Sequence, residues 1–300
     1  MIAARQIAFG KGAGKKEETP AYWGLCFTAE EAGSTVAMQA VGSAPSVTLE
    51  TSYDGKIWEP FTVGGTTITL PNVGDKVYFR AGEGGNTAMA SSTADYNKFS
   101  IITGRIAASG NIMSLLNGDA PDSILADYCY FSLFDGCTSL VNAPELPATT
   151  LTSYCYCYMF NGCTSLAQAP ALPATKLVSF CYGYMFLGCT SLAQAPALPA
   201  TKLSIYCYYN MFKGCTSLAQ APALPATKLV SSCYSNMFNG CRNIDCIECS
   251  FEAFSSATSQ WLSGVFFTGT FICPTALGTN ETIRRGASYC PKGWTVINKD

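Results

Sequence analysis

Histidine is missing from all 300 residues. With it go the usual general base, the usual partner of a nucleophilic serine or cysteine, and the commonest protein metal ligand. Charge is scarce as well: 13% of residues are Asp, Glu, Lys or Arg and the net is −2, so nothing electrostatic favours nucleic acid as a partner. From Cys129 to Cys241 the only charged residues are Asp135, Glu145, Lys176, Lys202, Lys213 and Lys228, so the surface there has to be made of Ser, Thr, Gln, Tyr and Ala. A glycosidase needs two carboxylates about 5–10 Å apart, and this block is too poor in acids to supply them. Glu30, Glu31, Asp54 and Glu59 lie elsewhere with no motif around them, so the reading is non-enzymatic. No apolar run is long enough to span a bilayer, and MIAARQIAFGKGAGKKEETP has early charge but no apolar core of about 7–15 residues. A secretory signal is therefore not expected, and the chain is expected to be made in a reducing cytoplasm.

Cysteine, by contrast, is plentiful at sixteen residues, and most of it is periodic. Cys129, Cys155, Cys181, Cys207 and Cys233 form one column at a spacing of 26, Cys137, Cys163, Cys189, Cys215 and Cys241 a second, and Phe134, Phe160, Phe186, Phe212 and Phe238 a third. A fixed period of this length means units that bury their apolar faces only against their neighbours, so a stacked core is expected. In CYxxMFxGC the apolar residues fall at i, i+1, i+4, i+5 and i+8, which predicts an apolar stripe on a short helix stopped by the Gly. The following SLAQAPALPAT carries two prolines, each removing an amide donor. Only a short parallel strand per unit is expected, bounded at Pro144, Pro170, Pro196 and Pro222. Cysteines eight apart on a helix lie roughly 12 Å apart and cannot bridge within a unit. A column of five cannot pair completely, so the thiols are expected reduced and buried.

The recurring Phe-x-Gly-Cys-Thr-Ser-Leu, followed by Leu-Pro, resembles the leucine-rich repeats of BspA-like surface proteins of Bacteroidetes and their phages, over about residues 125–250. The unit here is a few residues longer than is usual in that family and has a second proline. The resemblance implies a right-handed leucine-rich-repeat solenoid of about five coils.

Residues 1–20 read as a docking arm. GKGAGKK is not a phosphate loop, because Phe9 stands where the first Gly should be and Lys16 where the hydroxyl should be. Residues 21–110 hold seven short β-forming runs, from YWGLCFTA to KFSIITGRIA, with Asp54-Gly55 and Gly64-Gly65 at turns. They predict an antiparallel β-sandwich, resembling the Ig-like or jelly-roll modules that precede such repeats. SYDGKIW is one residue short of an Asp-box and is read as a hairpin with Trp58 on its buried face. The repeat domain is expected over 111–250, with Ile112, Met113, Leu115 and Leu116 capping its first coil, and a cap over 251–300 built on Trp261, Phe266, Phe267, Phe271 and Trp294. The fold class expected is thus mixed: sandwich, solenoid, cap. Cys246-x-x-Cys249 lacks a second such pair, since Cys273 and Cys290 are seventeen apart, so no zinc site is expected. No metal and no cofactor enter the reading.

Comparing the units separates invariant positions from free ones. The free places hold Tyr128, Tyr154, Tyr158, Phe180, Tyr184, Tyr206, Tyr209 and Asn210, a strip suited to weak, multivalent contact with glycans or proteins. The alternative is that these rings only shield the flank. The function expected is non-catalytic attachment by a phage virion protein, made in the host cytoplasm and carried on the particle as a fibre, decoration or receptor-binding component. Its partners would be a host surface glycan or protein, and other virion proteins through Ile2, Arg5, Ile7, Phe9 and Lys11. Membrane insertion is not expected, and self-association into a homo-oligomer is left open. The alternative is a BspA-like bacterial cell-surface adhesin.

Overall fold

The computed structural model describes residues 24–101, 103–117 and 125–299. The arm, with Ile2, Arg5, Ile7, Phe9 and Lys11, lies outside these residues.

Eight short strands open the described chain: β1 (Cys26–Ala29), β2 (Ser34–Val41), β3 (Leu49–Ser52), β4 (Glu59–Phe61), β5 (Thr67–Leu70), β6 (Lys76–Ala81), β7 (Tyr96–Ile101) and β8 (Ile106–Ser109). In β2, Ser34, Val36 and Met38 are buried while their neighbours are more open, the period-two pattern of a sheet with one covered face. A three-stranded antiparallel sheet runs β5-β2-β7, and a six-stranded sheet runs β4-β3-β6-β1-β8-β9, where β9 is Leu140–Asn142. The sheets share one core, since the ring of Phe27 on β1 lies 4.9 Å from that of Phe99 on β7 and 5.5 Å from that of Phe79 on β6. KFSIITGRIA, one run in sequence, is divided between β7 and β8, which sit in different sheets. Trp58 is half-buried beneath the Arg80 guanidinium, 4.1 Å from its ring centre, rather than in the core. The six-stranded sheet continues past residue 110, because β9 pairs parallel with β8 and the ring of Phe134 stacks on Phe99 at 5.3 Å.

The mixed class with a helix in every unit is overturned. The described residues are almost all β, in several small sheets, and a leucine-rich-repeat solenoid is not shown. The one α-helix among them is a single turn, α1 (Ser114–Asn117). The reason lies in the backbone. Tyr128, Ser132 and Gly136 have φ of 61, 54 and 75°, and the same left-handed turn recurs every fourth residue in the next four units. Between these turns amides alternate. Cys129, Phe131, Leu133, Asp135 and Cys137 donate three residues back, whereas Tyr128, Tyr130, Ser132, Phe134 and Gly136 donate to Ser153, Cys155, Cys157, Met159 and Asn161 in the next unit. No amide in this stretch bonds four residues back, so no α-helix can form. The apolar period is 4.0, not 3.6, and a helix would have rotated the second cysteine off the stripe. The expected strand per unit is also reduced, to isolated parallel bridges such as Gln168–Gln194–Gln220.

Inside the units the side chains form columns. Tyr130, Tyr156, Tyr182, Tyr208 and Tyr234 stack at 5.7–6.0 Å, and Phe134, Phe160, Phe186, Phe212 and Phe238 at 5.4–5.7 Å. Both cysteine columns are buried as free thiols. In the second, Cys163, Cys189, Cys215 and Cys241 each donate to the Phe carbonyl of the preceding unit at 2.9–3.1 Å. A thiol here fills a small apolar place and adds a second, weak bond to a carbonyl that already accepts a backbone amide of its own unit, which valine or alanine would not.

Not every buried hydroxyl is satisfied. Tyr130 donates to the Ile112 carbonyl at 3.2 Å, but the hydroxyls of Tyr156 and Tyr182 are buried with no protein partner. An unsatisfied buried polar group costs about 1–3 kcal/mol. Y156F and Y182F are each expected to raise the melting temperature by about 2–4 °C, the shift that roughly 1 kcal/mol gives in a chain of this size. Y130F is expected to lower it, and differential scanning calorimetry of the three variants checks the contrast.

Past Cys241 three parallel strands appear: β10 (Cys246–Glu248), β11 (Gly269–Pro274) and β12 (Trp294–Lys299). Cys246 stands five residues after Cys241, as Gln220 stands five after Cys215, but here no prolines follow and the ladder closes. The free edge of β12 is covered by Asn280, whose side chain bonds both the amide and the carbonyl of Val296. Trp261, Phe271 and Trp294 are buried in this end, while Phe266 and Phe267 stay exposed. At the other end Ile112, Met113, Leu115 and Leu116 are buried.

Candidate functional site

The strip of free positions comes together on one flank, and its geometry follows from the left-handed turns. Tyr128, Tyr154, Phe180 and Tyr206 occupy the first turn of successive units, and their rings stack face to face at 4.8, 4.6 and 4.5 Å. Tyr158 and Tyr184 occupy the second turn and stack at 4.2 Å. Each of these residues is half-buried. In the next unit that second turn is made by Asn210, which is buried rather than presented outward, and this corrects its place among the binding residues. Tyr209, one position earlier, takes over the surface: its ring meets Tyr184 edge-on at 5.1 Å and Tyr206 at 5.3 Å.

Two aromatics not singled out from the sequence adjoin this face, Phe131 buried beneath it and Tyr96 half-buried beside it. Phe131 meets Tyr158 at 5.8 Å and Tyr96, on β7, at 5.5 Å, so the aromatic strip runs on from the units to the β5-β2-β7 sheet. Phe131 was legible as the residue two after Cys129, a variable place; Tyr96 was not, because only the register of β7 against the first unit brings it there.

Left-handed backbone disfavours bulky L-residues by about 1–2 kcal/mol each. Six aromatic residues adopt it here, at positions where the chain elsewhere uses Ser132, Asn210, Ser232 or Asn236. Burial, together with the pairing of its hydroxyl with Tyr158, pushes the Tyr184 phenol up; burial also raises Tyr154 and Tyr158. These hydroxyls therefore stay protonated at neutral pH. Because the faces of the ladder rings cover one another, the edges and hydroxyls are what the strip offers outward.

Ionic features on the units are few. Lys98 bonds the carboxylate of Asp135 at 3.3 Å and its carbonyl at 3.2 Å, tying β7 to the first unit, and Asn161 donates to the other Asp135 oxygen at 2.6 Å. Among the described residues no group of three or more His, Cys, Asp or Glu is placed to hold a metal ion. Cys249, Cys273 and Cys290 are buried and Cys246 half-buried, all as free thiols. No helix among the described residues is long and apolar enough to cross a membrane.

Compared with family models, with curated proteins and with solved structures, the chain matches none of them.

Proposed function

We propose that the chain is a non-catalytic attachment protein of a phage virion, a fibre, decoration or receptor-binding component whose aromatic strip meets a host surface glycan or protein. The observation that carries this reading is the set of six aromatic residues held in left-handed turns on one flank. Rings that only shielded the flank would be replaced at little loss by Asn, which the second-turn column already uses twice. Backbone strain kept where a cheaper residue would serve points to a role outside the fold. The likeness of Phe-x-Gly-Cys-Thr-Ser-Leu to BspA-like surface proteins points the same way, and residues 1–20 would join the protein to other virion proteins.

The test separates binding from shielding. In Y158N/Y184N, relief of about 1–2 kcal/mol of strain per residue is of the same size as the loss of three ring contacts, to Phe131, between the two rings and to Tyr209, each worth about 0.5–1.5 kcal/mol. The melting temperature should therefore hold, while attachment of the purified protein to host cells should fall about tenfold or more, equivalent to 1.4 kcal/mol. Attachment equal to that of the parent would remove the proposal. Finding the full-length chain in purified particles supports the virion assignment, and finding it only on intact bacterial cells makes it an adhesin of the cell. Release of sugars from host polysaccharide would make it an enzyme.

A further inference from the structure

Beside the aromatic ladder runs a second column, of positive charge. Lys176, Lys202 and Lys228 recur at the 26-residue period, all three exposed. Lys176 and Lys202 face each other across a parallel bridge, and Leu177 donates to the Lys202 carbonyl at 3.1 Å. Neighbouring backbones in such a pairing lie about 4.8 Å apart. The ion pairs among the described residues are Arg80–Glu50, Lys98–Asp135 and Lys299–Glu248, so no described acid pairs with this column. Like charges bridged as Lys176 and Lys202 are repel one another, and the period repeats the lysine once more at Lys228 although the block is otherwise nearly uncharged.

Each lysine stands four residues before the ladder position of its own unit: Lys176 before Phe180, Lys202 before Tyr206, Lys228 before Ser232. Four residues reach at most about 14 Å, so each lysine position lies within that distance of the ladder position of its own unit. From this placement, and resting on the attachment reading above, we infer that the lysine column and the tyrosine hydroxyls together take a linear acidic polysaccharide, one carboxylate per sugar, laid along the units.

The ring geometry chooses between polyanions. Single-stranded nucleic acid binds by stacking its bases on open aromatic faces. Within this ladder the facing sides of successive rings are covered at 4.5–4.8 Å, so only the outer faces of the end rings Tyr128 and Tyr206 are left and a run of bases has no row of platforms. What remains outward is a row of ring edges and neutral hydroxyls, which suits sugar hydroxyls, together with one exposed ammonium group in each of three successive units. Neutral polysaccharide would leave the ammonium row unanswered.

Binding of the full chain to polygalacturonate, to its fully methyl-esterified form and to a single-stranded oligonucleotide of equal charge, each at two salt concentrations, tests the inference. Polygalacturonate should bind and weaken with salt, and the ester should bind at least about tenfold more weakly. The triple variant K176Q/K202Q/K228Q should lose about tenfold or more in affinity for polygalacturonate with a melting temperature no lower than the parent's. Absence of polygalacturonate binding, equal binding of the ester, undiminished binding by the triple variant, or oligonucleotide binding as tight as that of the glycan would each overturn it. Attachment to host cells, scored in parallel, keeps the two proposals apart. Parental attachment by the triple variant sinks the acidic-glycan inference alone, whereas parental attachment by Y158N/Y184N sinks the reading beneath it.

Discussion

Raising the pH from 8 to about 10 in a reducing buffer is expected to unfold this protein cooperatively. Burial pushes the thiols of Cys129, Cys137, Cys155, Cys189 and Cys241 from 9.0 up to about 12, and it drives Cys163, Cys181 and Cys215 well above 9.0. A raised folded value means that above pH 9 the unfolded chain releases protons the native state must keep. The stabilisation from these neutral thiols is therefore fully present below about pH 9, falls as the pH climbs, and is gone once the pH passes about 12. At pH 10 each such thiol removes about 1.4 kcal/mol of stability, and five together about 7 kcal/mol. That is comparable with the whole stability of a typical domain, about 5–15 kcal/mol. The buried tyrosines Tyr130, Tyr156, Tyr182, Tyr208 and Tyr234, also raised by burial, add to the loss above pH 10. Thiolate absorbance and circular dichroism, followed together against pH, should change in one transition. Thiolate appearing gradually near pH 9 with the dichroism unchanged would show that the columns are open to solvent and would contradict this account of the core.

Deleting one period is expected to be tolerated, whereas deleting one residue fewer should destroy the fold. Removal of Tyr182–Cys207, 26 residues, joins Cys181 to Tyr208 and leaves every column in step. Removal of Tyr182–Tyr206, 25 residues, shifts the alternation of amides by one. Those that donate to the next unit would then point into their own turn. Each junction between units carries five such bonds, as from Tyr128, Tyr130, Ser132, Phe134 and Gly136 to the second unit. Buried donors left without partners cost about 1–3 kcal/mol each, so one mismatched junction costs on the order of 5–15 kcal/mol, as much as the fold has to lose. The 26-residue deletion should melt cooperatively, at a lower temperature than the parent because one layer of stacked rings is gone. The 25-residue deletion should give no cooperative transition in calorimetry. Equal behaviour of the two would mean that the units do not depend on one another.

Much of the candidate strip's composition was legible. The free positions around the first cysteine of each unit led to Tyr128, Tyr154, Tyr158, Phe180, Tyr184, Tyr206 and Tyr209, which gather on one flank. Asn210 was misjudged because a column in the sequence does not say whether its side chain or its backbone matters; there the residue serves the left-handed turn and its neighbour Tyr209 covers the surface. The helix expected in CYxxMFxGC failed for a similar reason. Apolar residues at i and i+4 fit a helical stripe as readily as a true period of four, and only i+8, about 80° round a helix from i, tells the two apart. The distinguishing sign, Asn or Ser at the place where other units carry Tyr, was read as freedom to vary when it marks positive φ.

By itself the sequence determined the length of the unit, the identity of the stacked columns, the shortage of charge, and the absence of histidine chemistry. Those features follow from residue type and spacing, which are properties of the chain alone. Only the tertiary structure decided that alternate amides reach across units, that the ladder rings cover one another's faces, and that Tyr96 and Phe131 extend the strip onto the β5-β2-β7 sheet. Each of these depends on which unit or strand lies against which, through hydrogen bonds and ring contacts between residues 23 or more apart in the chain. A local pattern cannot specify partners at that distance.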